Sequence, residues 1–209
     1  MLLYYITDRT QLPDGERERH RRLLENSAES ARCGVDYVQL REKDLPTRDL
    51  EALARDAMER IRASGGKTRL LINSRTDVAL AAGADGVHLR SKDVSPEDVR
   101  KIWRAAKRSG EPIVAVSCHS EPEVVAAEKA GADFAVFGPV FGKKEVPEMG
   151  EAGMDLLRAV CRSGIPVFAL GAVTVENAAL CAAAGAKGVA GIRLFQGSNM
   201  DEVVAKLRG

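Results

Sequence analysis

Gln39, Arg41 and Lys43 stand two apart in QLREK, and side chains two apart in an extended strand share a face. An amide and two cations on one face could grip a phosphate or diphosphate, because guanidinium and ammonium groups pair with phosphoryl oxygens. The competing reading is a solvated Arg41–Glu42–Lys43 run with no ligand. Two glycine turns offer further anion contacts. Gly171 precedes Thr174 and a helical segment, and Gly191 is followed by Ile192 and Arg193. Backbone N–H groups and a cation could meet a phosphate at these turns, although either glycine alone also fits a tight turn. Lys143 and Lys144 add cations in GKKEVPEMGEAG, from Gly142 to Gly153, a stretch long enough for a lid over an anion or for a plain surface loop. Asp93 could ligate Mg2+, which takes one or two carboxylates plus substrate oxygens, or it could be a cap or surface charge. His119 is a candidate acid/base near neutral pH, against the commoner structural role of a lone histidine. Its neighbour Cys118 would point the other way in extended chain, so the two are not read as a nucleophile–base pair.

These residues, with Asn73 and Ser117, follow short apolar runs. In LLINSRTDVALAAGADGVHLRSKD, residues 70–93, the run Leu70 to Ile72 ends in Asn73, Ser74 and Arg75 and the run Gly86 to Leu89 in a polar group that includes His88, Arg90 and Asp93, with a helical Ala/Leu segment and a Gly turn between them. Ligands bind where strands stop in parallel α/β proteins. The unit recurs as CGVDYVQL, AGADGVHL, AGADFAVFG and AGAKGVAGI, with Gly34, Gly83, Gly131 and Gly185 spaced 49, 48 and 54 apart. Gly at such points can end a helix in the left-handed conformation. Further apolar runs lie between the copies: Tyr4 to Ile6, Ile113 to Val116 and Pro166 to Leu170. A period near 50 residues, each holding two strands and two helices, predicts four βαβα units closing as one (β/α)8 TIM barrel domain over residues 1–209. Leu50, Leu53, Ala54, Ala57, Met58 and Ile61 mark one amphipathic helix, and Ser95-Pro96-Glu97-Asp98 starts another. Thr47, Ser120 and Thr174 are expected caps. A doubly wound open sheet competes, but TDRTQLPDG after Ile6 is no glycine-rich phosphate fingerprint.

The totals exclude several classes of function. Net charge is +1 and aromatic content 4%, so neither bulk charge nor stacking surface points to nucleic acid. No apolar run reaches the roughly 18 residues needed to cross a bilayer, and MLLYYITDRT lacks the basic start of a signal peptide, so a cytoplasmic protein without membrane contact is expected. Cys33, Cys118, Cys161 and Cys181 form no CxxC pair, which removes a zinc or redox motif. Cys33, Cys161 and Cys181 are expected to be small buried residues in helices.

YYITDR, GVDYVQLREKD, LLINSRTDVALAAGADGVHL, VSCHS, GADFAVFGPVF and IPVFALGAVTVENAALCAAAGAKGVAG resemble, in order, the motifs of the thiamine-phosphate synthase/TenI family over nearly the whole chain. The resemblance implies a small barrel. It also implies that Gln39, Arg41 and Lys43 hold a pyrimidine diphosphate, that Asn73 and Ser117 contact substrate, and that Asp93 binds magnesium. The chain departs from the synthase pattern elsewhere. Ser74 replaces the Asp of an Asn-Asp pair, and Gly142-Lys143-Lys144-Glu145 replaces a Thr-Xaa-Thr-Lys run. Gly171-Ala172 replaces Gly-Gly, and Ile192-Arg193 replaces Val-Ser. These departures lean the reading to a TenI-like thiazole tautomerase, needing no cofactor, with His119 moving the proton. The alternatives are a Mg2+-dependent thiamine-phosphate synthase and a non-catalytic thiazole-phosphate-binding regulator. Each takes a small phosphorylated ligand, and a homo-oligomer is compatible with all three.

Overall fold

The computed structural model describes residues 1–13, 15–142, 149–197 and 199–209. Eight parallel strands among them close into a barrel in chain order: β1 Leu2–Ile6, β2 Tyr37–Leu40, β3 Arg69–Asn73, β4 Gly86–Leu89, β5 Ile113–Cys118, β6 Phe134–Phe137, β7 Val167–Leu170 and β8 Gly188–Gly191. The helices outside are α1 Glu16–Cys33, α2 Thr47–Ala63, α3 Thr76–Ala82, α4 Pro96–Ala105, α5 Glu121–Lys129, α6 Met149–Val160, α7 Ala178–Ala183 and α8 Met200–Arg208. The expected (β/α)8 TIM barrel is the observed fold. β7 starts one residue after Pro166, which has no N–H to give to a ladder.

The repeated Gly-Xaa-Asp has a physical reason. Gly34, Gly83, Gly131 and Gly185 all take positive φ at helix ends. The Asp two residues on then clamps the first residues of the preceding strand. Asp36 donates its N–H to the Leu3 carbonyl and accepts the Leu3 N–H at 2.8 Å. Asp85 does the same to Leu70 at 2.9 Å, and Asp133 to Val114 at 2.7 Å. Three odd-numbered strands are thus joined to the helix turn before the next strand by one carboxylate each. The fourth copy carries Lys187 there, and only the backbone bonds remain.

Inward positions alternate along each strand, as the pleat requires. Tyr4, Tyr37, Phe134 and Phe168 fill the lower barrel, with ring centroids 4.7 to 6.0 Å apart. Gly188 makes room for them, because a Cβ there would lie 2.5 Å from the Phe168 ring. A second apolar layer lies between barrel and helices, and includes Leu53, Ala57 and Ile61 of α2.

Ser95 and Ser120 cap α4 and α5 as expected, accepting from the N–H groups of Asp98 and Glu123. Thr47 makes no cap: it is the first residue of α2, and its hydroxyl accepts from Arg75. Thr174 accepts from the Asn177 N–H in a turn ahead of α7. Cys181 is buried, while Cys33 and Cys161 are only partly covered.

Candidate active site

Above the aromatic layer the inward residues turn polar. In register, Ile6 pairs with Gln39, Gln39 with Leu71, and Asn73 with His88. A cavity of about 540 Å³ opens over them at the C-terminal ends of the strands. Gln39, Arg41, Lys43, Asn73, Ser117, His119 and Ile192 line it, together with Ile6, His88, Arg90, Ser91, Lys92 and Leu170. Gln39 donates to Asn73 Oδ1 at 2.9 Å, and Asn73 donates to the Ser74 hydroxyl at 3.3 Å, which makes an amide pair at one wall.

The loop carrying Arg41 and Lys43 is anchored from below. Glu42, between them, points the other way and is buried, which removes the solvated-run alternative. It accepts the Thr7 hydroxyl at 2.6 Å, the Arg9 N–H at 3.1 Å and the Arg9 guanidinium at 3.1 Å. Thr7 Oγ1 in turn accepts the Arg41 N–H at 3.0 Å. Burial raises the Glu42 pKa, opposed by the hydrogen bonds from Thr7 and Arg9. Arg9 also forks onto Asp44, with both contacts at 2.7 Å. This network has no signature along the chain, because its partners are 33 to 35 residues apart.

The cations crowd each other. Lys43 is held below its ordinary pKa by the Arg41 charge first, then by burial and by Arg90. This like-charge field at a cavity rim favours an anionic ligand.

His88 is fully buried inside β4, not at a polar tip as GVHLRSKD suggested. Its Nδ1 lies 2.9 Å from the Tyr4 hydroxyl and its Nε2 2.7 Å from the Ser117 hydroxyl. Burial, helped by the Arg41 charge, pushes its pKa down to about 3. His119 is exposed on the same cavity. Its Nδ1 lies 2.6 Å from the Gly138 carbonyl, an acceptor only, so Nδ1 is the donor and, in the neutral ring, the lone pair is on Nε2. Cys118 is buried on the opposite side of β5, and burial pushes its thiol up to about 12.

Gly171 and Gly191, with Arg193, do not line this cavity. Gly171 packs against Pro139, where a Cβ would fall 2.6 Å from the Pro139 Cα, and its φ is +106°. Arg193 reaches Gln11 at 3.4 Å. Lys143 and Lys144 lie outside the described residues, as do residues 145–148 of the Gly142 to Gly153 stretch read as a lid or a plain surface loop. Asp93 lines a smaller hollow of about 220 Å³ between β4, β5 and their helices.

The residues around Asp93 do not fit a resident Mg2+. Its carboxylate accepts the Arg90 N–H, Nε and Nη2 at 2.8 to 3.1 Å, and the Ser74 hydroxyl also bonds it. Burial acts to raise its pKa, but these donors outweigh it and hold the carboxyl below its ordinary range. Ser74, at φ +58°, supplies a hydroxyl where the synthase pattern has its second carboxylate. Among the described residues no three His, Cys, Asp or Glu side chains cluster to hold a metal.

The chain is a TIM-barrel protein whose cation-rimmed cavity lies at the C-terminal face of the strands, where this fold carries its sites. Residues 3–195 match the family model described as thiamine monophosphate synthase. A Geobacter sulfurreducens protein provisionally named a thiamine-phosphate synthase is 45% identical over 90% of this chain and 83% of its own. The thiamine-phosphate synthase of Roseiflexus castenholzii is 35% identical over 98% of this chain and 85% of its own. A solved thiamine phosphate pyrophosphorylase from Pyrococcus furiosus superposes with a TM-score of 0.79 at 29% identity, covering 99% of this chain and 93% of that one. The chain belongs to the thiamine-phosphate synthase family and is an enzyme of that family. No helix among the described residues is long and apolar enough to cross a membrane.

Proposed function

We propose that the chain joins a pyrimidine diphosphate to a thiazole phosphate and releases diphosphate. The observation that carries this reading is the convergence of Arg41, Lys43, Arg90 and Lys92 around the Gln39–Asn73 amide pair in one cavity. Clustered guanidinium and ammonium groups suit the spread charge of a diphosphate leaving group. The relatives compared above are named for this coupling enzyme. Together these favour coupling over the tautomerase reading to which the departures at Ser74 and Lys143-Lys144 leaned.

In this reading the pyrimidine C–O bond breaks and its electron pair leaves on the diphosphate, whose growing charge the guanidinium and ammonium groups meet. The thiazole nitrogen lone pair then forms the new N–C bond. No proton is transferred, so the neutral His88 is no obstacle. Gln39 and Asn73 present amide donors and acceptors that suit an aminopyrimidine edge.

One observation favours a second reading. The His119 Nδ1 is tied to the Gly138 carbonyl, which leaves an unprotonated Nε2 on a residue lining the cavity. That arrangement could move a proton within a thiazole phosphate.

Incubation of purified protein with hydroxymethylpyrimidine diphosphate and thiazole phosphate tests both readings. Coupling predicts thiamine phosphate and diphosphate in equal amounts. Thiazole isomerisation without diphosphate release would establish the second reading instead. Saturable ligand binding with neither product would leave a non-catalytic binder and overturn both.

A further inference from the structure

We propose that Tyr4 and His88 are positioning residues that fix Ser117 as a hydrogen-bond donor to an anionic oxygen of the ligand in the cavity. The Tyr4 hydroxyl is fully buried among aromatic rings, and among the described residues its hydrogen-bond partner is His88 Nδ1, at 2.9 Å. The Ser117 hydroxyl lies 2.7 Å from the other ring nitrogen, at the cavity wall.

Suppose Nδ1 carried the proton. Tyr4 would then accept, and its own O–H would have no acceptor in an apolar enclosure, which is costly. The phenol therefore donates to Nδ1, and the ring proton sits on Nε2. Nε2–H donates to Ser117 Oγ, and the Ser117 proton is left to point at the ligand. A doubly protonated ring would again strand the Tyr4 proton, and would put a charge in full burial beside Arg41. The depressed His88 pKa agrees with a ring that stays neutral. A serine that accepts from Nε2–H and keeps its own O–H to donate, in a cavity rimmed by cations, is matched to a phosphoryl oxygen.

The proposal rests on the cavity holding a phosphorylated ligand, but its test does not require turnover. In the native protein, 15N NMR of labelled histidine should show His88 Nδ1 unprotonated and Nε2 protonated from pH 7 down to pH 5. A protonated Nδ1 in that range would overturn the proposal, whatever the enzyme catalyses. Tyr4→Phe removes the donor. The His88 ring should then shift toward the other tautomer, and affinity for inorganic diphosphate should fall by about threefold to tenfold, the range of one hydrogen bond. A merely structural Tyr4 would lower thermal stability while leaving the tautomer and diphosphate affinity unchanged, and that result also overturns the proposal. If Tyr4→Phe fails to fold, the native 15N spectrum alone decides.

Discussion

Arg90 and Asp93 close on each other across one turn of the loop after β4. Nε and Nη2 of Arg90 lie 3.1 and 2.8 Å from Oδ1 of Asp93, and the Arg90 N–H lies 2.8 Å from Oδ2. The carboxylate that the family resemblance offers for a metal ion is therefore neutralised by the protein's own cation. Ser74→Asp would return the second carboxylate, and Asp is among the residues that tolerate the positive φ found there. Titration with Mg2+ should then show affinity at least about tenfold tighter than in the native protein. Equal affinity would contradict the account of Ser74.

Glu42 is predicted to hold the Arg41 loop through Thr7 and Arg9. Glu42→Gln keeps the volume but leaves the buried side of Arg9 without its charge partner. A loss of about 3 kcal/mol in urea unfolding is expected, less than a full buried-pair break because Asp44 remains on Arg9. A change below about 0.5 kcal/mol would show that the network is dispensable.

His88 makes stability depend on pH in a defined direction. Its folded pKa, about 3, lies below the unfolded value near 6.5, so the unfolded chain binds the extra proton first. The contribution is intact above about pH 6.5 and is lost as pH falls toward 3, reaching about 2 kcal/mol at pH 5. Unfolding measured at pH 7 and pH 5 should show this loss in the native protein and a smaller one in His88→Gln. Parallel behaviour of the two proteins would sink the prediction.

Asp85 tests the repeated clamp. Asp85→Ala strands the Leu70 N–H at the start of β3 and should cost about 1–3 kcal/mol, read as a lower thermal midpoint. The same substitution at Asp93, which holds a loop and no strand N–H, should cost less.

The fold was legible because the chain writes its helix-ending glycine and following strand four times over, three of them with a clamping Asp. The spacing of Gly34, Gly83, Gly131 and Gly185 carried the barrel before any contact was known, although the reason for the Asp beside three of them emerged only as hydrogen bonds to Leu3, Leu70 and Val114. The parity of Gln39, Arg41 and Lys43 likewise brought those three to one cavity. Three features escaped. His88 looked like a polar tip because one apolar residue, Leu89, separates it from Arg90, while register buries it. Arg90's pairing with Asp93 depends on a loop conformation that no pattern encodes. Thr47 looked like a cap because it opens a polar run, but Pro46 holds the capping position.

On the proposed function, the cation-rimmed cavity is built for a diphosphate. Calorimetric titration with inorganic diphosphate and inorganic monophosphate, in the presence of a metal chelator, tests it most directly. The account predicts diphosphate binding at least about tenfold tighter than monophosphate, with the difference abolished in Arg41→Ala. Equal affinity for the two anions, or a preference that survives Arg41→Ala and Arg90→Ala together, would contradict it.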